Sequence, residues 1–149
     1  MNTEIKHTIF RNISYHAWLK EWKYRADSAG NFEVPDGRLI IMPEGVTRIA
    51  IVDEQGNTVA VVFPRVIQTF PHYSWNGPDA VPDIPVFMEP SMPHDVLCQL
   101  IKEGRIPAIN QKLADYIFMR EVRNNGGSWT LSRVAWVYIR GFQYLRKGV

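Results

Sequence analysis

The sequence is poor in cysteine and in net charge. Its 149 residues include one cysteine, Cys98, and its formal net charge at pH 7 is +2. Because a single cysteine cannot form a disulfide within the chain, the sequence predicts folding in a reducing compartment or without covalent bracing. A net charge this small excludes a prediction of nucleic-acid binding from charge alone, and no nucleic-acid partner is expected.

Long hydrophobic runs and the common catalytic signatures are also missing. No stretch approaches the roughly 20 apolar residues that a transmembrane helix needs, so no transmembrane segment is predicted. Residues 1–10, MNTEIKHTIF, lack the apolar core of a signal peptide, which predicts synthesis in the cytoplasm. The sequence has no glycine-rich phosphate loop, no HExxH, no paired-cysteine metal motif and no nucleophile elbow.

Composition and residue patterns predict an α+β fold. Hydrophobic residues make up 46% of the chain and charged residues 21%, which is ordinary for one globular domain. We predict a single domain over residues 1–149, with an N-terminal antiparallel β-rich half at about 1–70. A proline-rich connection at about 71–91 and a three-helix C-terminal unit at 92–149 are expected to follow.

The β-rich half contains one clear hairpin signal. Apolar and polar residues alternate over 47–52 and 58–63, and the turn between them holds the Asp, Gly and Asn that tolerate positive φ. Residues 39–42 form a short apolar run that predicts a buried segment. Residues 15–24 are compatible with a strand or with a short helix.

The C-terminal half is predicted to contain three helices. Their expected spans are about 92–102, 108–122 and 130–146, where apolar residues recur at helical spacing. Ser128 or Thr130 is expected to cap the third helix. Because a short turn joins the first two helices, they should pack antiparallel against each other.

The antiparallel pair brings a histidine and an aspartate together. His94 on the first predicted helix should face Asp115 on the second, with both side chains directed toward the apolar seam. A His–Asp hydrogen bond would fix the imidazole tautomer and raise its basicity, so that the other ring nitrogen could activate a water. Asp95 could hold a cation near that water, together with carbonyl oxygens of the 75–83 loop. His94 and Asp115 are therefore the candidate catalytic residues.

Two other interpretations of this cluster stay open. A buried His–Asp pair also satisfies the hydrogen-bonding needs of both groups without any catalysis. Cys98 lies one helical turn after His94, so a Cys–His dyad is conceivable, although a thiol on an apolar face is more often inert. The residues alone therefore allow a structural pair, a water-activating pair or a dyad.

Motifs between residues 74 and 140 resemble those of an uncharacterised domain family common in tailed phages and prophages. The segments that carry the resemblance are SWNGPD, HDVLCQL, ADYIF and RVAWVYIR, and the region covers a little under half of the chain. The resemblance implies a virion-associated structural or accessory protein of the tail, baseplate or connector. It also implies an oligomeric assembly with other phage structural proteins, and incorporation into the virion after synthesis in the host cytoplasm.

The order of His94, Asp95 and Asp115 also resembles that of phospholipase A2, including the short viral capsid forms. Carried over, the resemblance implies that His94 activates water, Asp115 orients His94 and Asp95 binds calcium. The calcium loop would be the segment WNGP, with backbone oxygens of Trp75 and Gly77 as further metal ligands. The implied activity is a calcium-dependent hydrolase that acts on lipid esters during phage entry or release, with transient membrane contact.

Two positions depart from the pattern of the phage family. Asn76 stands where the family has Asp, which removes an anionic ligand, and Cys98 stands where the family has Tyr. These departures favour a domain with a degenerate His–Asp site. The first hypothesis is therefore a virion structural or accessory protein without a cofactor, and the second is a hydrolase that uses Ca²⁺.

Overall fold

The computed structural model of the chain describes residues 15–17, 24–75, 77 and 81–148. Strands occupy the first half and helices the second, so the predicted α+β fold is confirmed. Of residues 15–24, left open between strand and helix, the described ones lie in strands. The strands are β1 (Tyr15–Ala17), β2 (Tyr24–Ala26), β3 (Gly30–Glu33), β4 (Ile49–Val52), β5 (Thr58–Val62), β6 (Val66–Thr69) and β7 (Ser74–Trp75). The helices are α1 (Pro85–Lys102), α2 (Asn110–Asn124) and α3 (Trp129–Lys147), and a 3-10 turn spans Pro35–Gly37.

The strands form two antiparallel sheets. One has three strands in the order β1-β2-β7, and the other has four in the order β3-β6-β5-β4. The predicted hairpin is β4–β5, and Asp53 holds its turn by accepting hydrogen bonds from the backbone N–H groups of Gln55 and Asn57. The turn also needs Gly56, whose φ of 84° is one that other residues rarely adopt.

The prediction of a buried run at residues 39–42 is wrong for most of its length. The segment is not a strand, and only Ile40 is fully buried, whereas Leu39 and Ile41 are 45% and 51% exposed. Asn110, at the start of α2, binds the backbone of this segment through its side chain. The Asn110 side chain accepts a hydrogen bond from the N–H of Ile41 at 2.7 Å and donates one to its carbonyl oxygen at 2.8 Å.

The first helix begins earlier than predicted. α1 begins at Pro85 rather than at about residue 92, so the last part of the expected proline-rich connection is helical. Proline is well suited to the first position of a helix, where no N–H is needed. Pro90 has no N–H for the carbonyl oxygen of Val86, and Asn125 compensates by donating its side-chain amide to that oxygen at 3.3 Å. The end of a neighbouring helix thus supplies the donor that proline lacks.

The other two helices lie close to their predicted positions. Ser128 caps α3, since its Oγ accepts a hydrogen bond from the N–H of Leu131 at 3.0 Å. The connection between α2 and α3 requires Gly127, because a Cβ there would lie 2.6 Å from a methyl carbon of Val122 and 2.7 Å from its carbonyl oxygen. This close approach sets the start of α3 against the end of α2.

Two apolar clusters hold the elements together. The larger lies between the strands and the first two helices, and it includes Phe32, Ile67, Leu97 and Ile117. The smaller cluster joins the three helices through Phe87, Phe118, Val122, Ala135 and Ile139.

None of the helices in the described ranges is long and apolar enough to cross a membrane.

Candidate functional site

His94 and Asp115 meet across the antiparallel pair of α1 and α2, as the sequence predicts. The His94 Nε2 and Asp115 Oδ1 atoms are 2.7 Å apart, and Asp115 is completely buried. The same register continues one turn further along, where the side chains of Cys98 and Gln111 are in contact. The imidazole packs edge-on against Phe118, with ring centroids 5.8 Å apart, so both polar groups do lie in the apolar seam.

Asp115 has two further partners that the sequence did not single out. Its Oδ2 accepts a hydrogen bond from Nη1 of Arg140 at 2.6 Å, and its Oδ1 also accepts one from Nε2 of Gln111 at 3.0 Å. A carboxylate removed from water needs such donors, because an unpaired buried charge is costly. The four residues His94, Gln111, Asp115 and Arg140, hereafter the helix brace, link α1, α2 and α3.

Gln111 and Arg140 differ in how far the sequence could have predicted their contact with Asp115. Gln111 lies one turn before Asp115 on the same face of α2, and this helical spacing could have indicated it. Arg140 borders the buried face of α3, between the half-buried Trp136 and the buried Gln143. Its approach to Asp115 depends on how α3 is rotated against α2, which no spacing along the chain specifies.

The surroundings of His94 favour its protonated form. Burial by itself lowers the pKa of His94, but the sulfur of Cys98 and the hydrogen bonds with Asp115 and Asp95 raise the pKa well above its ordinary value of 6.5. These neighbours therefore favour the imidazolium over the neutral imidazole, and the imidazolium donates hydrogen bonds from both ring nitrogens. A protonated imidazole cannot accept a proton, which is what the activation of water requires.

The sulfur of Cys98 does not align with either nitrogen of the imidazole. Its Sγ atom is 3.8 Å from both Nδ1 and Nε2 of His94. Because the two nitrogens point to different sides of the ring, equal distances place the sulfur between their hydrogen-bonding directions rather than along one of them. Cys98 instead accepts a hydrogen bond from Nε2 of Gln111 at 3.4 Å. This geometry does not favour proton transfer within a Cys–His dyad.

Asp95, the predicted metal ligand, lies beside the second ring nitrogen of His94. Its Oδ1 is 3.9 Å from Nδ1 of His94, and its side chain is 22% exposed. Asp95 also affects Tyr73, whose pKa is raised well above 10 by burial and, to a smaller extent, by the negative charge of Asp95. Tyr73 stacks on Trp75 with ring centroids 6.2 Å apart. The carboxylate of Asp95 therefore interacts with His94 and, through its charge, with the buried phenol of Tyr73.

The predicted loop ligands make contacts of their own. Trp75 is buried and donates its indole N–H to Oγ of Ser91 at 2.8 Å. Gly77 has a φ of 78°, and a Cβ added there would lie 3.0 Å from Oδ1 of Asp83. Asn76 and Pro78 of the predicted calcium loop lie outside the described residues, as do residues 79–80 of the longer 75–83 segment.

The described residues around Asp95 supply few ligands for a calcium ion. Calcium is usually bound by about six to eight oxygen atoms. Both oxygens of Asp115 already accept hydrogen bonds, and the charges of protonated His94 and of Arg140 would repel a divalent cation. Among residues 15–17, 24–75, 77 and 81–148, no group of three or more His, Cys, Asp or Glu side chains is placed to hold a metal ion. The calcium centre stays a prediction that rests on the resemblance.

A second cluster of polar side chains, centred on the carboxylate of Asp36, lies on the outer side of α2. Asp36, in the 3-10 turn, accepts hydrogen bonds from Oη of Tyr116 and, at 2.9 Å, from Nη1 of Arg120. The guanidinium carbon of Arg38 lies 3.8 Å from the centre of the Tyr116 ring. The hydrogen bond from Tyr116 and the charges of Arg120 and Arg38 lower the pKa of Asp36. No motif points to this surface cluster, because its members come from distant parts of the chain.

Comparison of the chain with known protein families, with curated proteins and with solved structures found no match. The likeness to the phage domain family and to phospholipase A2 therefore rests on the motifs themselves. Which function the chain performs has to be inferred from the chemistry of its side chains.

Proposed function

We propose that this protein is a structural or accessory component of a phage virion, made in the host cytoplasm and assembled into the particle with other phage proteins. The observation that carries the proposal is the pairing of Asp115 with both His94 and Arg140, which ties three helices together. A buried carboxylate with partners on two neighbouring helices favours one packing arrangement, since any other leaves a buried charge unpaired. The phage-type motifs supply the virion context.

The charge state of the helix brace supports a structural role over a catalytic one. A general base has to be unprotonated at the working pH, and its pKa is best placed near that pH. The raised pKa of His94 makes the imidazole a hydrogen-bond donor to Asp115 instead. Such a pair stabilises a packing arrangement without performing a reaction.

The outer face of α3 supports a role in assembly. The sequence of α3 contains no acidic residue, and two of its three arginines, Arg133 and Arg146, are exposed. Exposed apolar surface of this kind is typical of protein contacts, and aromatic side chains and arginine are enriched at the centres of interfaces. The expected partner is another virion subunit with an apolar surface bordered by carboxylates. The large apolar side chains of this face, 47% to 87% exposed, are Trp129, Val134, Val137, Tyr138, Tyr144 and Leu145.

Incorporation into particles tests the proposal. Mass spectrometry of purified virions should detect the protein at a fixed ratio to the major virion proteins. Val137→Glu should reduce incorporation, because it places a charge in the exposed apolar face. Gln55→Glu, which adds the same charge in the exposed β4–β5 turn, is the matched control and should leave incorporation unchanged. Absence of the protein from purified particles would argue decisively against a virion role.

A calcium-dependent lipid hydrolase is the second candidate. The observation that favours it is the 2.7 Å contact between His94 and Asp115, with Asp95 beside the other ring nitrogen. In this candidate Asp115 orients the imidazole, and His94 accepts a proton from water. The raised pKa of His94 then requires activity to increase with pH as the imidazole loses its proton.

Fatty-acid release from a panel of phospholipid vesicles, with calcium or with a chelator, tests the hydrolase. His94→Ala should abolish release, whereas His72→Asn should not, because His72 is exposed and asparagine tolerates its φ of 79°. His94→Gln is added in case His94→Ala fails to fold, and circular dichroism checks the fold of all variants. Absence of release from every lipid between neutral and alkaline pH would discard this candidate.

A further inference from the structure

A basic pocket lies between α2 and α3, and its lining contains no residue of the helix brace. Its volume is about 180 Å³. None of its lining residues is acidic, and two of its side chains are aromatic rings. Most of its lining is contributed by Tyr116, Arg120, Arg123, Trp129, Ser132 and Arg133.

The arginines of this pocket carry more positive charge than their neighbours neutralise. Arg120 is paired with Asp36 at 2.9 Å. In the described part of the chain, no carboxylate lies within ion-pair distance of Arg123 or Arg133, and both are exposed. Cations that line one cavity repel each other unless an anion enters. The pocket is therefore best suited to a negatively charged group.

The arginine side chains indicate which negatively charged group the pocket would bind. The planar guanidinium donates paired hydrogen bonds that match the oxygens of phosphate and carboxylate groups. The pocket also lies at the start of α3, where the partial positive charge of the helix N-terminus adds to that of the side chains. Whole small molecules usually occupy roughly 300–1,000 Å³, so this cavity has room for one anionic group while the rest of the ligand lies outside.

Trp129 indicates what the rest of the ligand would be. Its ring is 55% exposed at the edge of the pocket, and the guanidinium carbon of Arg133 lies 4.7 Å from the ring centroid. Arg133 thus packs on one face of the indole, and more than half of the Trp129 side chain stays exposed to a ligand. Exposed aromatic rings beside basic side chains commonly bind nucleobases in this way.

We propose that this arginine pocket binds the phosphate group of a nucleotide, with the base stacked on Trp129. Arg123 and Arg133 hold the phosphate oxygens, and Arg120 contributes while it stays paired with Asp36. The proposal does not depend on the hydrolase, because no residue of the pocket belongs to the helix brace. It shares only Trp129 with the exposed apolar face of α3. The same phosphate chemistry could also come from a free phosphate ion or from a phospholipid headgroup.

Binding of AMP, of inorganic phosphate and of phosphatidic acid vesicles to the whole protein, measured by isothermal titration calorimetry, tests the proposal. Arg123→Ala and Arg133→Ala should each weaken AMP binding about tenfold or more, since each removes charge-assisted hydrogen bonds. Arg146→Ala is the matched control, because it removes one exposed arginine from α3, the helix that carries Arg133, without changing the pocket. Trp129→Ala should weaken AMP binding and leave phosphate binding unchanged. All four positions are exposed, so thermal unfolding should confirm that each variant folds.

The arms of the experiment separate the sources of phosphate. AMP binding that exceeds phosphate binding and depends on Trp129 supports the nucleotide. Equal binding of both ligands, or binding only to vesicles of phosphatidic acid, supports the phosphate site when Arg123→Ala and Arg133→Ala remove it, but rules out the stacked base. No binding of any of these probes overturns the proposal. Binding that Arg146→Ala weakens as much as the pocket variants also overturns it, because it reflects general charge.

Discussion

Asp115 and Asp36 each bind an arginine, Asp115 inside the helical half and Asp36 at its surface. Asp115 is completely buried and lies 2.6 Å from Arg140, whereas the side chain of Asp36 is 45% exposed and lies 2.9 Å from Arg120. Each aspartate also accepts a hydrogen bond from a second side chain that can donate a proton. The two clusters therefore have similar chemistry in different surroundings.

The difference in burial determines what each cluster can do. In the helix brace, water cannot replace a lost partner, so each charge depends on the others. At the surface, water and salt screen the pair, and the loss of one partner costs little. We therefore expect the helix brace to specify how three helices pack, and the surface cluster to add little to stability.

The largest effect is expected from Asp115→Asn. This change leaves the charges of His94 and Arg140 partly buried without their counter-charge. The free energy of unfolding should decrease by about 3–5 kcal/mol, as for other buried pairs that lose one partner. Urea denaturation measures the decrease. A decrease no larger than that of Asp36→Asn would contradict the distinction between the two clusters.

Arg140→Met should have the second-largest effect. Asp115 then keeps its hydrogen bonds with His94 and Gln111, so the loss should be about 1.5–3 kcal/mol, the usual contribution of a hydrogen bond to a charged group. In the double variant with Asp115→Asn, the two losses should not add, because they remove the same interaction. Strict additivity in urea denaturation would show that Arg140 acts independently of Asp115.

The third-largest effect is expected in the pH dependence of stability, and it should come from the helix brace. The pKa of His94 is raised in the folded protein, so its stabilisation is complete below the unfolded pKa of 6.5 and is lost as pH rises toward the folded pKa. Between these two values the free energy of unfolding should decrease by up to about 1.4 kcal/mol per pH unit. Urea denaturation from pH 6 upward measures this slope, and His94→Gln should flatten it. An identical slope in His94→Gln would assign the titration to another group.

The smallest effect is expected from Asp36→Asn. Asparagine also tolerates the φ of 58° at this position, so the change tests the ion pair and not the backbone. Because the pKa of Asp36 is lowered in the folded state, its contribution is present above the ordinary value of 3.8 and is lost as pH falls below it. Urea denaturation at neutral pH should detect little change. A loss comparable to that of Asp115→Asn would mean that exposure does not screen this cluster.

The sequence predicted the helix brace only in part. The contact between His94 and Asp115 follows from two helices joined by a short turn, because an antiparallel pair relates positions along one helix to positions along the other. Arg140 reaches the same carboxylate from a third helix, whose rotation is set by packing around Gly127 and Phe118. The rotation of a helix against its neighbours cannot be predicted from the spacing of residues along the sequence.

The same contrast holds for the fold. Local patterns determined the β4–β5 hairpin, the cap at Ser128 and the presence of three helices, because turn chemistry and helical spacing act between residues close in the chain. Only the tertiary structure decided that α1 begins at Pro85, since Asn125 from the end of α2 compensates for Pro90. Only the tertiary structure also decided the charge of His94, because that charge depends on which side chains of other elements surround the imidazole.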